Sequence, residues 1–274
     1  MGVVEECAPM SAAPQPARPP GDQATAWTVV RGLRAAVVFL TRVPAGGFPY
    51  RDAEWRWAPA WFPLVGAAVG AVAGGVAWLA AGAGPLVAAA LAVIASLLLT
   101  GAFHEDGLAD TADALGGAYD RDKLFAILKD SRIGSFGGAA LVMSLVLRVA
   151  LLARLGTAAP LALMLVGAAS RVPPVWLMAA LPYVSTGDAR SRPVTRGGPV
   201  QAVVATALGA LVLALARAAL SPVAVLAMVA VSLGAAMLCG WRFHVRAGGI
   251  TGDFLGATQQ VGEAALLLAL VLAG

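Results

Sequence analysis

Apolar runs of nearly membrane length dominate the chain, and short polar clusters separate them. A helix needs about 20 mostly apolar residues to cross the hydrocarbon core of a bilayer. Runs that meet or approach this length lie at 57–81, 85–103, 134–153, 160–182, 199–219, 222–240 and 262–273. The last is short, so it tilts or caps the bundle. Residues 27–41 hold Arg31 and Arg34 in a shorter apolar stretch, which suits an interfacial helix or a partial entry. The pattern predicts an all-α, polytopic integral membrane bundle of seven spans, or eight if 27–41 crosses. Gly66, Gly70, Gly74 and Gly75 within the first run favour close helix packing.

Composition supports this class. Of 274 residues, 59% are hydrophobic and 12% charged, against about 25% charged in an ordinary soluble domain. Residues 1–25 differ, being rich in Pro and Ala with Glu5 and Glu6, and read as a disordered tail. They have no basic segment followed by an apolar core, so they do not read as a signal peptide. The remainder, 26–274, reads as one transmembrane catalytic domain. Cys7 and Cys239 lack metal-ligand spacing and do not read as a disulfide pair.

The charges sort by side. Twelve basic residues fall in one set of loops: Arg42, Arg51, Arg56; Arg121, Lys123, Lys129, Arg132; Arg190, Arg192, Arg196; Arg242 and Arg246. The opposite loops hold Arg154 and Arg217 alone. Such asymmetry places the rich side in the cytoplasm. The net charge of +4 is accounted for by orientation; no basic patch interleaved with aromatics points to nucleic acid. Residues 119–130 mix charge with Leu124, Phe125, Ile127 and Leu128, which predicts a short amphipathic helix on the membrane surface.

Chemistry concentrates on the basic-rich side. Directly after an apolar run comes His104-Glu105-Asp106-Gly107-Leu108-Ala109-Asp110-Thr111-Ala112-Asp113. On a helix, Asp106, Asp110 and Asp113 share one face. Crowded carboxylates repel unless a cation sits between them, and an oxygen-only donor set suits a hard ion such as Mg²⁺. Ionisable groups beside a bilayer are costly and usually functional. His104 has three readings: general base, phosphate donor or satisfied structural histidine.

A second cluster is Lys129-Asp130-Ser131-Arg132-Ile133-Gly134. Lys129 and Arg132 can neutralise phosphate oxygens, while Ser131 and the amides of a Gly-rich turn opening the next helix add donors. A third, Gly248-Gly249-Ile250-Thr251-Gly252-Asp253, predicts a tight bend that admits a ligand or offers another metal carboxylate. Arg171 lies inside an apolar run near Pro173 and Pro174, where a buried cation needs a carboxylate or substrate phosphate as partner. Arg148 either snorkels or pairs structurally.

The strings at 103–113, 128–134 and 248–257 resemble the signatures of the cobalamin synthase family, the adenosylcobinamide-GDP ribazoletransferases. Phe39-Leu40-Thr41-Arg42-Val43-Pro44, Phe62-Pro63-Leu64-Val65-Gly66 and Ser170-Arg171 fit the same family, so the likeness spans roughly residues 33–270. Departures are Glu105 (commonly apolar), Ala114 (commonly Gly), Ile250 (frequently Gln) and Gln260 (often Glu), and the loop 184–198 matches poorly.

The resemblance implies transfer of adenosylcobinamide phosphate from adenosylcobinamide-GDP to α-ribazole or α-ribazole 5′-phosphate, releasing GMP. It implies Mg²⁺ held by Asp106, Asp110 and Asp113, with Asp106 and His104 catalytic. It further implies Lys129, Asp130, Ser131, Arg132, Arg171, Thr251 and Asp253 at the substrate, all facing the cytoplasm. His104 or a carboxylate free of metal is the candidate for taking the hydroxyl proton. The sequence leaves homo-oligomerisation open. Two other classes are disfavoured. A phosphatidyl transferase acting on CDP-activated lipids would carry an Ala-Arg pair after its first Asp-Gly, absent here. A transporter would place its carboxylates in broken helices near mid-membrane rather than in one rim cluster.

Overall fold

The computed structural model describes residues 25–47, 49–184 and 194–274. The expected tail therefore lies outside the described residues except for Thr25, as do Arg190 and Arg192. Among the described residues the chain forms eleven α-helices and no strand: α1 (Ala26–Leu40), α2 (Asp52–Leu79), α3 (Pro85–Thr100), α4 (Phe103–Gly117), α5 (Arg121–Leu128), α6 (Ser135–Leu155), α7 (Ala159–Ala169), α8 (Val172–Ala180), α9 (Pro199–Leu215), α10 (Pro222–Ala247) and α11 (Gly252–Ala273). Prolines open α3, α9 and α10, where the missing N–H costs nothing. Side chains of Thr25, Asp120, Ser221 and Thr251 cap α1, α5, α10 and α11.

Four helical stretches are long and apolar enough to cross a membrane: α2, Ser135–Ala180, α10 and α11, with a fifth if the bent pair α3–α4 is one span. This is fewer than the seven or eight expected from apolar runs, for identifiable reasons. The stretch Ser135–Ala180 merges two expected runs; at 1.5 Å per residue its 46 residues amount to about 69 Å of helix, enough for two crossings. It turns back on itself, since Arg148 and Ser170 bond the neighbouring Gln260 and Gln259. At 17 residues α9 is short, and α1, at 15, reaches only about 22 Å. The last expected run is the end of a 22-residue helix that begins ten residues earlier, at Gly252.

Small residues let the central helices touch. A Cβ on Gly66, Gly70 or Gly74 would come within 2.0, 2.1 or 2.6 Å of the carbonyl oxygens of Gly167, Leu163 and Pro160, so the α2–α7 crossing is a backbone contact. Gly75, off that stripe, faces open space. The first helix packs along α2, with Trp61 donating to the Val29 carbonyl (2.8 Å) and Arg31 paired with the buried Glu54 (3.0 Å). Large apolar side chains such as Leu215, Leu226 and Met237 face outward, as lipid contact requires.

A sharp turn sets the acidic helix across the bundle. Gly101 and Ala102 both adopt left-handed backbone (φ 68° and 56°), and α4 leaves α3 at 90°. Ala102 is the sole non-glycine at positive φ among the described residues, a strain of about 1 kcal/mol or more. Arg42 lies over the turn, within 2.1 Å of where a Gly101 Cβ would stand.

Candidate active site

The acidic string forms α4 as expected, and its third dimension comes from α11. Gly248 ends α10 in left-handed backbone (φ 73°), and Gly249 lies against the Pro182 carbonyl. Thr251 then accepts from the Phe254 amide (3.3 Å) and starts α11. This bend presses α11 onto α4 at Gly107, where a Cβ would meet the Asp253 oxygen at 2.9 Å and Gly256 Cα at 3.2 Å. Asp253 thereby joins the acidic face: Asp110 lies in the fields of Asp106, Asp253 and Asp113. Among the described residues no lysine or arginine forms an ion pair with any of these four.

Asp113 has a partner of another kind. Its two oxygens accept from the amides of Gly134 (2.7 Å) and Gly137 (2.8 Å), the first turn of α6. A carboxylate at a helix N-terminus satisfies orphan donors and the helix dipole together. A Cβ at either glycine would strike the Asp113 carboxylate, which explains the glycine spacing. The amides expected to bind phosphate are thus occupied from within the chain. Asp113 ties the 129–134 loop to α4 and has fewer lone pairs free than Asp106 or Asp110.

Within that loop Arg132 clasps Asp130 (2.6 Å), both on the surface, and this contact holds the Asp130 carboxyl down at about 2 from its ordinary 3.8. Lys129 and Ser131 are exposed beside it. The loop reaches the acidic face through Gly134, while these side chains point to water.

His104 and Arg171 lie elsewhere. Two residues are 200° of helix, so His104 points away from Asp106, inward. It is buried, edge-on to Phe103, and shares with Arg171, Phe39, Phe62, Thr195 and Gln259 a cavity of about 30 Å³. Arg171, at the α7–α8 break, donates to the Gly167 carbonyl (2.8 Å), and its Nε has no partner. The structure therefore divides the expected site: Asp106, Asp110, Asp113 and Asp253 gather on one face of α4, and His104 and Arg171 on the inner side.

Behind α4 runs a polar network the sequence did not announce. Arg148 of α6, 1% exposed, pairs with Glu105 (2.8 Å) and Glu263 (2.7 Å). Gln260 donates to Glu105 (3.0 Å), and Gln259 donates to Ser170 (3.1 Å) and Glu263. Glu105 and Gln260 are thus bonded to each other. The network clamps α4, α6 and α11 together beneath the acidic face. The signal available in sequence was an arginine inside a span, which demanded a buried carboxylate.

As a metal site the acidic face is open rather than closed: among the described residues no three His, Cys, Asp or Glu side chains are grouped tightly enough to hold an ion. Asp106, Asp110 and Asp253 nonetheless fit a hard divalent cation, being oxygen-only, half-buried to exposed, and without a cationic neighbour in contact.

Fold and site together define a helical membrane protein bearing a carboxylate cluster at one rim of its bundle. The model of the cobalamin-5-phosphate synthase family matches residues 32–271, and the chain belongs to that family. The adenosylcobinamide-GDP ribazoletransferase of Leptothrix cholodnii is 42% identical over 243 residues, covering 85% of this chain and 92% of that protein. The proteins of the same name from Allorhizobium ampelinum and Shewanella piezotolerans are 41% and 38% identical, covering 89% and 87% of this chain and 97% and 94% of their own length. No solved structure matches the chain.

Proposed function

We propose that this chain transfers adenosylcobinamide phosphate from adenosylcobinamide-GDP to a free ribose hydroxyl of α-ribazole, or of α-ribazole 5′-phosphate, whose 5′-oxygen is already esterified. The hydroxyl oxygen bonds to the cobinamide-linked phosphorus, the bond to the bridging oxygen breaks, and GMP leaves. The observation that carries this reading is the convergence of Asp253 with Asp106 and Asp110, in a family whose relatives bear the ribazoletransferase name. Asp106, Asp110 and Asp253 are the residues to hold Mg²⁺, with Asp113 spending its oxygens on α6. Bound there, the ion would neutralise diphosphate charge and the leaving phosphate.

The protein's own contribution is positioning and electrostatics. The α4–α11 contact at Gly107 fixes the spacing of the carboxylates, and the buried Arg148 network holds both helices still. Lys129 and Arg132 lie exposed on the loop that Asp113 anchors, within the reach of long side chains toward a phosphate; Ser131 adds a hydroxyl donor. Arg132 must exchange Asp130 for substrate to contribute. Thr251 holds the bend that presents Asp253. The proton from the attacking hydroxyl goes to a carboxylate of the acidic face, because His104 points the other way; Arg171 and His104 shape the inner cavity. The excess of basic loops on this side faces the reaction toward the cytoplasm.

The test is GMP release by the purified chain in detergent, supplied with adenosylcobinamide-GDP and α-ribazole. Mg²⁺-dependent release, reduced at least about 100-fold by Asp106→Asn, supports the proposal. Equal release with chelator, or by the variant, overturns it.

A further inference from the structure

A second recess lies in the membrane-spanning region at the far end of the bundle. It is a cleft of about 720 Å³ between α9 and α10, floored by the α7–α8 break. One wall is a stripe of α9, Thr206, Ala210 and Leu213, spaced as one helix face and continued by Arg217 in the turn just beyond its end. The other is the matching stripe of α10 from Val225 to Ala236. The two stripes face each other across open space instead of packing together. Trp176 closes the inner end, its indole N–H donating to Thr206 (2.9 Å).

Length and charge identify the occupant. From Thr206 to Arg217, and again from Val225 to Ala236, the walls extend about 17 Å at 1.5 Å per residue. One leaflet of hydrocarbon is about 15 Å thick, half of a 30 Å core. The walls thus match the length of an acyl chain in a single leaflet. Its mouth ends at the turn between the two helices, where the exposed Arg217 donates to the Leu220 carbonyl (3.0 Å) and keeps its remaining N–H groups free for an anion. Among the loops on that side, Arg217 is one of two basic residues. The far end of α10 meets α4, with Arg246 donating to the Ala118 carbonyl (2.6 Å). The mouth is therefore about 30 Å from the acidic face, measured along α10.

We infer that the α9–α10 cleft binds one phospholipid from the leaflet opposite the acidic helix, its acyl chain between the two stripes and its phosphate at Arg217. The lipid replaces the side-chain contacts that α9 and α10 do not make with each other, so it acts as a structural wedge. An anionic head group is favoured, since a single surface cation adds about five-fold in affinity for anionic lipid.

Native mass spectrometry of the purified chain with added phosphatidylglycerol or phosphatidylcholine tests this. Wild type is expected to retain one phospholipid per chain, with phosphatidylglycerol preferred. Arg217→Gln should reduce that preference about five-fold, and Ala210→Phe, which fills the cleft, should reduce retention of both lipids. Thermal unfolding of each variant checks its fold, and Arg217→Gln alone, a surface change, keeps the test decisive if Ala210→Phe fails to fold. Absence of retained lipid, or equal retention by Arg217→Gln and Ala210→Phe, overturns the assignment. A lipid-free dimer lost in Ala210→Phe also overturns it, because a second copy would then fill the cleft.

Discussion

Asp113 separates a structural from a metal-binding carboxylate, and its replacement by Asn is the sharpest perturbation. Asn keeps one acceptor oxygen but turns an NH₂ group toward the other amide, and the negative charge is lost. The Gly137 N–H is buried, so its lost bond to a charged acceptor costs about 1.5–3 kcal/mol. Gly134 is exposed and recovers water, which limits its share. The helix N-terminus loses about 0.3–1 kcal/mol more. Together Asp113→Asn should cost about 3 kcal/mol, or a fall of about 6–12 °C in the midpoint of thermal unfolding. Measured in detergent with chelator present, Asp106→Asn should show no such fall. If Asp113→Asn unfolds with the wild type and loses only the response to Mg²⁺, Asp113 is a ligand and the anchoring argument fails.

Other expectations follow from the same contacts. Asp110→Asn removes one charge from a cluster of like charges, so in chelator it should stabilise the chain by about 1–3 kcal/mol; in the same melts, Mg²⁺ should stabilise wild type more than the variant. A destabilised Asp110→Asn would show the carboxylates are not in mutual repulsion. Arg148→Met leaves Glu105 and Glu263 buried without a cation and should cost about 3–5 kcal/mol. Adding Glu105→Leu and Glu263→Gln should recover part of that in the same unfolding assay. Gly107→Ala drives a Cβ into the Asp253 backbone and should destabilise by about 1–3 kcal/mol. It should also lower GMP release far more than stability, because it separates Asp253 from Asp110.

What the sequence made legible was what periodicity and composition can encode. Asp106, Asp110 and Asp113 were readable as one helix face because steps of three and four residues are local geometry. The glycine stripe at 66, 70 and 74 was readable for the same reason. Misreadings arose where a polar side chain turns inward. Thr258, Gln259 and Gln260 precede the expected run at 262–273 and make the start of α11 polar in sequence, yet all three are buried, as is Glu263 within the run. Gln260 and Glu263 meet Arg148 and Glu105 more than a hundred residues away, and Gln259 meets Ser170 at a separation of 89, beyond any local pattern. Asp113 looked equivalent to Asp106 because its capping of α6 depends on a fold that brings residues 21 and 24 positions apart together. His104, adjacent in sequence to the acids, points away from them because adjacency on a helix is not a shared face.

Whether the acidic face grips a divalent ion is tested directly by binding, without requiring turnover. Mn²⁺ titrated into the purified chain and followed by electron paramagnetic resonance should show a saturable site that Mg²⁺ displaces. Asp106→Asn, Asp110→Asn and Asp253→Asn should each weaken it at least about ten-fold, while Asp130→Asn should not. Mn²⁺ bound equally by the wild type and the Asp106, Asp110 and Asp253 variants would contradict the account.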